Sequence, residues 1–142
     1  MLRVLFFIAI AGFTFDQVIN QQEIEHLNST NQSAGFVTIM MPVEAEPNSV
    51  LILAPQNCSS AAGKRADVLE TRLTELGIPN KRSSSFNVNI TDSNEETIAS
   101  VQRTEKILKG KIPAVFFAGL GKSNPSAEEV VREFQLNKKR AF

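Results

Sequence analysis

Hydrophobic and polar positions fall into a regular pattern from Asn48 onward. Val50–Ala54 is a short continuous apolar run, as in a strand buried on both faces. Ala62, Ala66, Leu69, Leu73 and Leu76 then recur at steps of four, three, four and three, which marks one face of a helix. Gly77 is placed to end that helix and Pro79 to stop it resuming. Phe86, Val88 and Ile90 alternate with polar residues and predict a half-buried strand. Asp92 and Ser93 are the expected caps of a second helix, with Glu95 or Glu96 completing a capping box. Its apolar face is read as Ile98, Val101 and Leu108, and Gly110 closes it. A second continuous apolar run, Ala114–Ala118, is headed by Pro113, and "GLGKS" after it reads as a tight turn or hairpin. The last helix is predicted to start at Asn124 or Ser126, with Pro125 in the first turn and Ala127, Val130, Val131 and Phe134 on the buried side.

The order is β-α-β-α-β-(β)-α in about 90 residues, an α/β class with a central mixed sheet and flanking helices. The first strand–helix–strand unit asks for a parallel, right-handed crossover. No internal repeat is visible, and the 142 residues suit one domain.

The N-terminal part differs. Residues 1–19 read as an export signal or membrane anchor: Arg3 is a short positive head, and the run to Phe15 is apolar apart from Gly12 and Thr14. Ala9-Ile10-Ala11 has the small-x-small form of a cleavage site; the alternative to export is a buried N-terminal strand or helix. Residues 20–48 read as a polar arm and linker, rich in Gln, Asn and Ser, with an extra strand possible over Phe36–Met41 before Pro42 and Pro47. Residues 49–137 then form the α/β domain and 138–142 a basic tail, frayed and solvated. Export implies a periplasmic or extracellular location, with membrane contact only if the first segment stays attached.

Charge alters this picture little. The net charge is zero, divided as −4 over residues 1–62 (one Arg, five acids) and +4 over residues 63–142 (fourteen Lys/Arg, ten acids). The later charges fall on the polar faces of predicted helices, and no basic stripe carries interleaved aromatics, so nucleic acid is not expected as a partner. Glu95-Glu96 and Glu128-Glu129 stand in first turns, where acids complement the helix dipole. "GLGKS" lacks the spacing of a phosphate-binding loop, and no cluster of ligand residues has metal spacing, so no metal is expected. His26, the only histidine, lies in the polar arm with no acid–base partner nearby. Four N-x-S/T triplets, at Asn28, Asn31, Asn57 and Asn89, matter only in a eukaryotic secretory route.

One position is left with chemistry of its own. Cys58 is the single cysteine, so no internal disulfide is available. It follows the first apolar run and precedes the first helix. There, unpaired backbone N–H groups favour a thiolate, and the Ser59 and Ser60 hydroxyls are placed to donate to it or to cap the helix. The other reading is a small, semi-buried residue packed for its volume.

Together these residues resemble the thioredoxin superfamily, glutaredoxin-like branch, over about Ser49 to Gln135. "VLILAPQNC" is similar to the first strand and active-site turn, with Cys58 in the place of the N-terminal cysteine. "LGIP" (76–79) is similar to the end of the first helix. "KIPAVFF" is similar to the segment opening the third strand, with Pro113 in the cis-proline place. The resemblance implies a thioredoxin-like fold, with Cys58 as nucleophile and Ile112–Pro113 docking a substrate backbone. The motif is Cys58-Ser59-Ser60-Ala61, so Ala61 occupies the place of the resolving cysteine. No cofactor is expected: glutathione is the one small molecule the branch suggests, and its usual Gly-Gly-Asp clamp is replaced by "GKSNPSAEE".

Two functions follow as expectations. The first is a binding or assembly module of the cell envelope with a degenerate redox site, its partner a protein. The second is monothiol thiol–disulfide exchange by Cys58 on a peptide thiol or disulfide, the mixed disulfide being released by an external thiol. In a different α/β fold, Pro113 would be an ordinary trans proline starting a strand.

Overall fold

The computed structural model describes residues 35–141. The export or anchor segment, most of the polar arm with His26, Asn28 and Asn31, and the last residue of the tail lie outside the described residues. Among the described residues the chain forms a five-stranded mixed sheet with three helices: β1 (Val37–Thr38), β2 (Val50–Leu53), α1 (Ala61–Glu75), β3 (Asn80–Ser83), α2 (Glu95–Leu108), β4 (Ala114–Phe117), β5 (Leu120–Ser123) and α3 (Ala127–Arg140). The sheet order is β1-β5-β4-β2-β3, with β2 and β3 parallel and every other pair antiparallel.

Alternation along the two central strands builds a core on each face. Val50, Ile52 and Ala54 join Val115 and Phe117 against Ala66, Leu69 and Leu73 of α1 and Val130 of α3. Leu51, Ala114 and Phe116 turn to the other face and meet Ile107 of α2 and Ile39. The first helix ends as its sequence predicts. Gly77 has φ +67°, its N–H bonds the Thr74 carbonyl, and the Ile78 N–H bonds the Leu73 carbonyl, a Schellman closure. The hairpin after β4 turns on Ala118 and Gly119, at φ +49° and +78°, the sign pattern that matches a two-residue turn to strand twist.

The structure corrects several expectations. The third strand is Asn80–Ser83, and Phe86, Val88 and Ile90 lie in an irregular segment. Backbone pairing decides this: all four residues of β2 register with residues 80–83 directly after Pro79, whatever their polarity. The alternation at 86–90 has a local cause. Phe86 packs on Phe116 with ring centroids 4.9 Å apart, while Asn87 is held by Val43 and Glu44. The cap of α2 is Asn94, not Asp92 or Ser93; its side chain accepts from the Thr97 N–H, and Glu96 pairs with Arg103 instead of closing a capping box. The buried side of α2 is Ser100, Thr104 and Ile107, while Ile98 and Leu108 are exposed. The small residues suit a close approach, and the Thr104 hydroxyl is satisfied by donating to the Ser100 carbonyl at 2.8 Å.

The domain also begins earlier than residue 49. Phe36 and Ile39 are buried, β1 pairs with β5, and Arg103 Nε donates to the Thr38 carbonyl at 2.6 Å. At the other end, Lys138-Lys139-Arg140 is the last turn of α3, not a frayed tail, in keeping with cations at a helix C-terminus. Pro125 precedes the cap Ser126 instead of occupying the first turn. The buried side of α3 includes Glu133 beside Val130; its carboxylate accepts no hydrogen bond and faces Arg140 at 4.0 Å.

The start of α3 yields a stability prediction. Ser126 Oγ accepts from the Glu129 N–H, Glu129 accepts from the Ser126 N–H, and Glu129 also pairs with Lys122 of β5 at 2.9 Å. The Lys122 bond leads the interactions that hold the Glu129 carboxyl below its ordinary range. A depressed folded pKa contributes stability that is present above the unfolded value and lost as pH falls through the folded one. Glu129→Gln should therefore cost about 1 kcal/mol at neutral pH. The deficit should close as acid protonates Glu129 in the parent protein, read as thermal unfolding midpoints of both proteins from pH 7 down to 3.

Candidate functional site

The site is built by the passage from β2 into α1. After Ala54 the chain leaves the sheet through Pro55 and Gln56, and Asn57 takes a left-handed φ of +51°, which an Asn side chain tolerates. That bend delivers Cys58 two residues before the helix cap. The cap is Ser60, with extended backbone and a side chain that accepts from the Gly63 N–H at 3.2 Å. Cys58 Sγ lies 3.0 Å from the same Ser60 hydroxyl. The two bonds are compatible: Ser60 Oγ accepts from the Gly63 N–H and keeps its own proton and a second lone pair, so it donates to the sulfur when Cys58 is a thiolate and accepts from it when Cys58 is a thiol.

Cys58 is half-buried. Its pKa is held below the ordinary thiol value first by the Ser60 side-chain hydrogen bond and then by the Ser60 backbone N–H, with a smaller contribution from the charge of Arg82. Burial and the charge of Asp67 act the other way. By linkage, this shift stabilises the folded chain above the unfolded thiol pKa, an effect lost as pH falls through the folded value.

Ser59 is exposed and takes no part in the sulfur's hydrogen bond. Ala61 is the exposed first residue of α1, so the position of a resolving cysteine holds a methyl group. The Ile112–Pro113 peptide is cis; Pro113 is buried and Ile112 is 38% exposed. The structure joins this segment to α1 through a residue the sequence did not single out. Arg65 Nη2 donates to the Ile112 carbonyl at 2.8 Å. The carbonyl expected to dock a substrate is thus already bonded once, leaving its second lone pair and the Ile112 N–H. No hydrogen bond joins Cys58 to Ile112 or Pro113 among the described residues. Beside Ile112 a cleft of about 210 Å³ opens toward Pro55, Leu108 and Lys111.

Two further residues shape the site. A Cβ on Gly63 would stand 1.9 Å from the Cys58 carbonyl oxygen, so only a glycine lets the first turn of α1 close against the thiol-bearing residue. A glycine inside a predicted helix is a legible signal of such an approach. Arg82 of β3 bonds Asp67 and the Pro55 carbonyl. It lies in a polar stretch whose sequence carries no strand signal, so nothing pointed to it. Among the described residues no group of three or more His, Cys, Asp or Glu is placed to hold a metal ion.

No protein-family model, curated protein or solved structure matches the chain. The reading of the site therefore stands on its own geometry.

Two substitutions probe that geometry. Gly63→Ala gains helix propensity but drives a methyl into backbone, and should destabilise the fold by about 2 kcal/mol in chemical denaturation. Ser60→Ala removes both the cap and the sulfur's partner. It should cost about 1 kcal/mol of stability and move the midpoint of the Cys58 alkylation-rate profile to higher pH.

Proposed function

We propose that the chain is an exported thioredoxin-like domain of the glutaredoxin-like kind, in which Cys58 acts as a single-thiol exchange group. The observation that carries the chemistry is the Cys58 Sγ–Ser60 Oγ contact of 3.0 Å at the start of α1, around a sulfur that is only half-buried. A thiol packed for volume among apolar side chains does not need a hydroxyl within hydrogen-bond reach beside a helix N-terminus. Support for the fold reading comes from the order of parts: a buried strand, a turn bearing the cysteine, a helix, a parallel strand, a second helix, and a cis proline opening the next strand.

The proposed step is thiol–disulfide exchange. The Cys58 thiolate attacks one sulfur of a substrate disulfide, a bond forms between them, and the other substrate sulfur leaves as a thiolate. With Ala61 where a second thiol would stand, the mixed disulfide is released by a low-molecular-weight thiol from outside the chain. That thiol's sulfur bonds to the substrate sulfur and frees Cys58, or bonds to Cys58 and frees the substrate. No metal or resident cofactor takes part in this reading.

A second reading, a binding or assembly module, is favoured by a separate observation. Ile112 and Leu108 expose apolar side chains beside the cleft at Pro55, a surface suited to a protein partner with or without thiol chemistry. One variant separates the two. The wild-type chain incubated with a peptide disulfide should gain one peptide mass by intact-mass spectrometry and lose it on addition of glutathione, and Cys58→Ser should gain none. A folded wild-type chain that forms no adduct while its denatured form does would remove the exchange reading and leave the binding module.

A further inference from the structure

The turn that presents Cys58 is tied to the sheet by one cation. Arg82 stands in β3 opposite Ile52, whose side chain belongs to the core on the α1 face. Its own side chain is 9% exposed. One terminal nitrogen pairs with Asp67 of α1, with Glu70 of the same helix 3.6 Å away. The other donates to the Pro55 carbonyl, three residues before Cys58. The Nε proton is buried without a partner. A guanidinium buried this far with an unused donor is a poor strut, since an apolar side chain fills such a layer without desolvating a charge. Its position gives it a different use, because from β3 it reaches both α1, at Asp67, and the turn between β2 and α1 that carries the thiol.

We infer that Arg82 is a positioning residue for Cys58: it holds the Pro55 carbonyl, and so the path of the turn, and supplies the fixed positive charge beneath the site, set by its pairing with Asp67. The inference rests on reading Cys58 as a nucleophile. Its electrostatic direction is consistent, because Arg82 lowers the thiol pKa and Asp67 raises it. The remaining charges near these elements are otherwise engaged or lie outside the bonded set. Arg65 of α1 is bonded to the Ile112 carbonyl, and Lys81 of β3 pairs with Glu46 at 3.0 Å. Lys109 pairs with Glu105 at 2.5 Å. Arg72 and Glu75 of α1 pair with each other at 3.3 Å, and Lys64 of α1 and Lys111 beside Ile112 carry the charges that remain.

The opposed signs of Arg82 and Asp67 supply the test. Iodoacetamide alkylation of Cys58 is followed against pH in the full chain for wild type, Arg82→Gln, Arg82→Lys and Asp67→Asn, native and in denaturant. Arg82→Gln should move the midpoint of the profile to higher pH and slow alkylation on its acid side by about threefold. Asp67→Asn should move the midpoint to lower pH, and Arg82→Lys should stay near wild type. A merely structural role predicts that Arg82→Gln and Asp67→Asn drift together toward the denatured profile; that result, or an unmoved midpoint in folded Arg82→Gln, overturns the inference. Should Arg82→Gln fail to fold, Asp67→Asn decides, and an unmoved or raised midpoint overturns it. A native wild-type midpoint no lower than the denatured one removes the nucleophile reading of Cys58, yet opposite shifts in the two variants would still support the coupling to Arg82.

Discussion

β2 has no solvent face. Val50, Leu51 and Ile52 are each no more than 1% exposed, and the strand is bonded on both edges, parallel to β3 and antiparallel to β4. A strand so enclosed has one register, because a slip of one residue would exchange the side chains of its two cores. Everything at the site inherits that register. The chain leaves β2 at one place, turns once at Asn57, and enters α1 with Cys58 just outside the helix. Aliphatic packing four to eight residues earlier in the chain therefore places the Cys58 thiol with no flexible linker between them.

The turn itself is held by backbone approach more than by side-chain burial. Gly63 brings the first turn of α1 against the Cys58 carbonyl, and Ser60 spends one hydroxyl on both the Gly63 N–H and the sulfur. The helix cap and the lowered thiol pKa thus depend on one hydroxyl. A helix that starts one residue later would lose the cap, and with it the sulfur's strongest partner. This coupling explains how Ser60 and the start of α1 together hold the Cys58 thiol below its ordinary pKa.

Much of this was legible in the chain because hydrophobicity reports burial directly. The runs at 50–54 and 114–118, the stripe from Ala66 to Leu73, and the stop at Gly77 each follow from one side-chain property. What escaped has a different origin. β3 is Asn-Lys-Arg-Ser, a strand made by the backbone groups that β2 offers, so its side chains give no signal. α2 buries Ser100 and Thr104 because closeness outranks apolarity there, and its larger apolar residues Ile98 and Leu108 face outward. Within the site, Cys58 and Ser60 were found through the chemistry of a helix start. Arg65 and Arg82 were missed because their roles depend on which elements become neighbours.

Those two arginines change how the site is understood. Each is a side chain that bonds to a backbone carbonyl, Arg65 to Ile112 and Arg82 to Pro55. A guanidinium that donates to a carbonyl occupies one of its lone pairs and brings a positive charge with it. The acids on α1 then limit how much of the charge is felt, and Asp67 is closely enough engaged with Arg82 to matter most. The resulting field sits in the sheet and helix framework and needs no second thiol. In the exchange reading, the division of labour is therefore clear: the chain prepares one sulfur by means of Ser60, the helix start and Arg82, and the thiol that completes the cycle comes from solution. Ala61 is consistent with that division, because a methyl group at the first position of α1 leaves the sulfur open to an external partner on the side where an internal one would have competed for it.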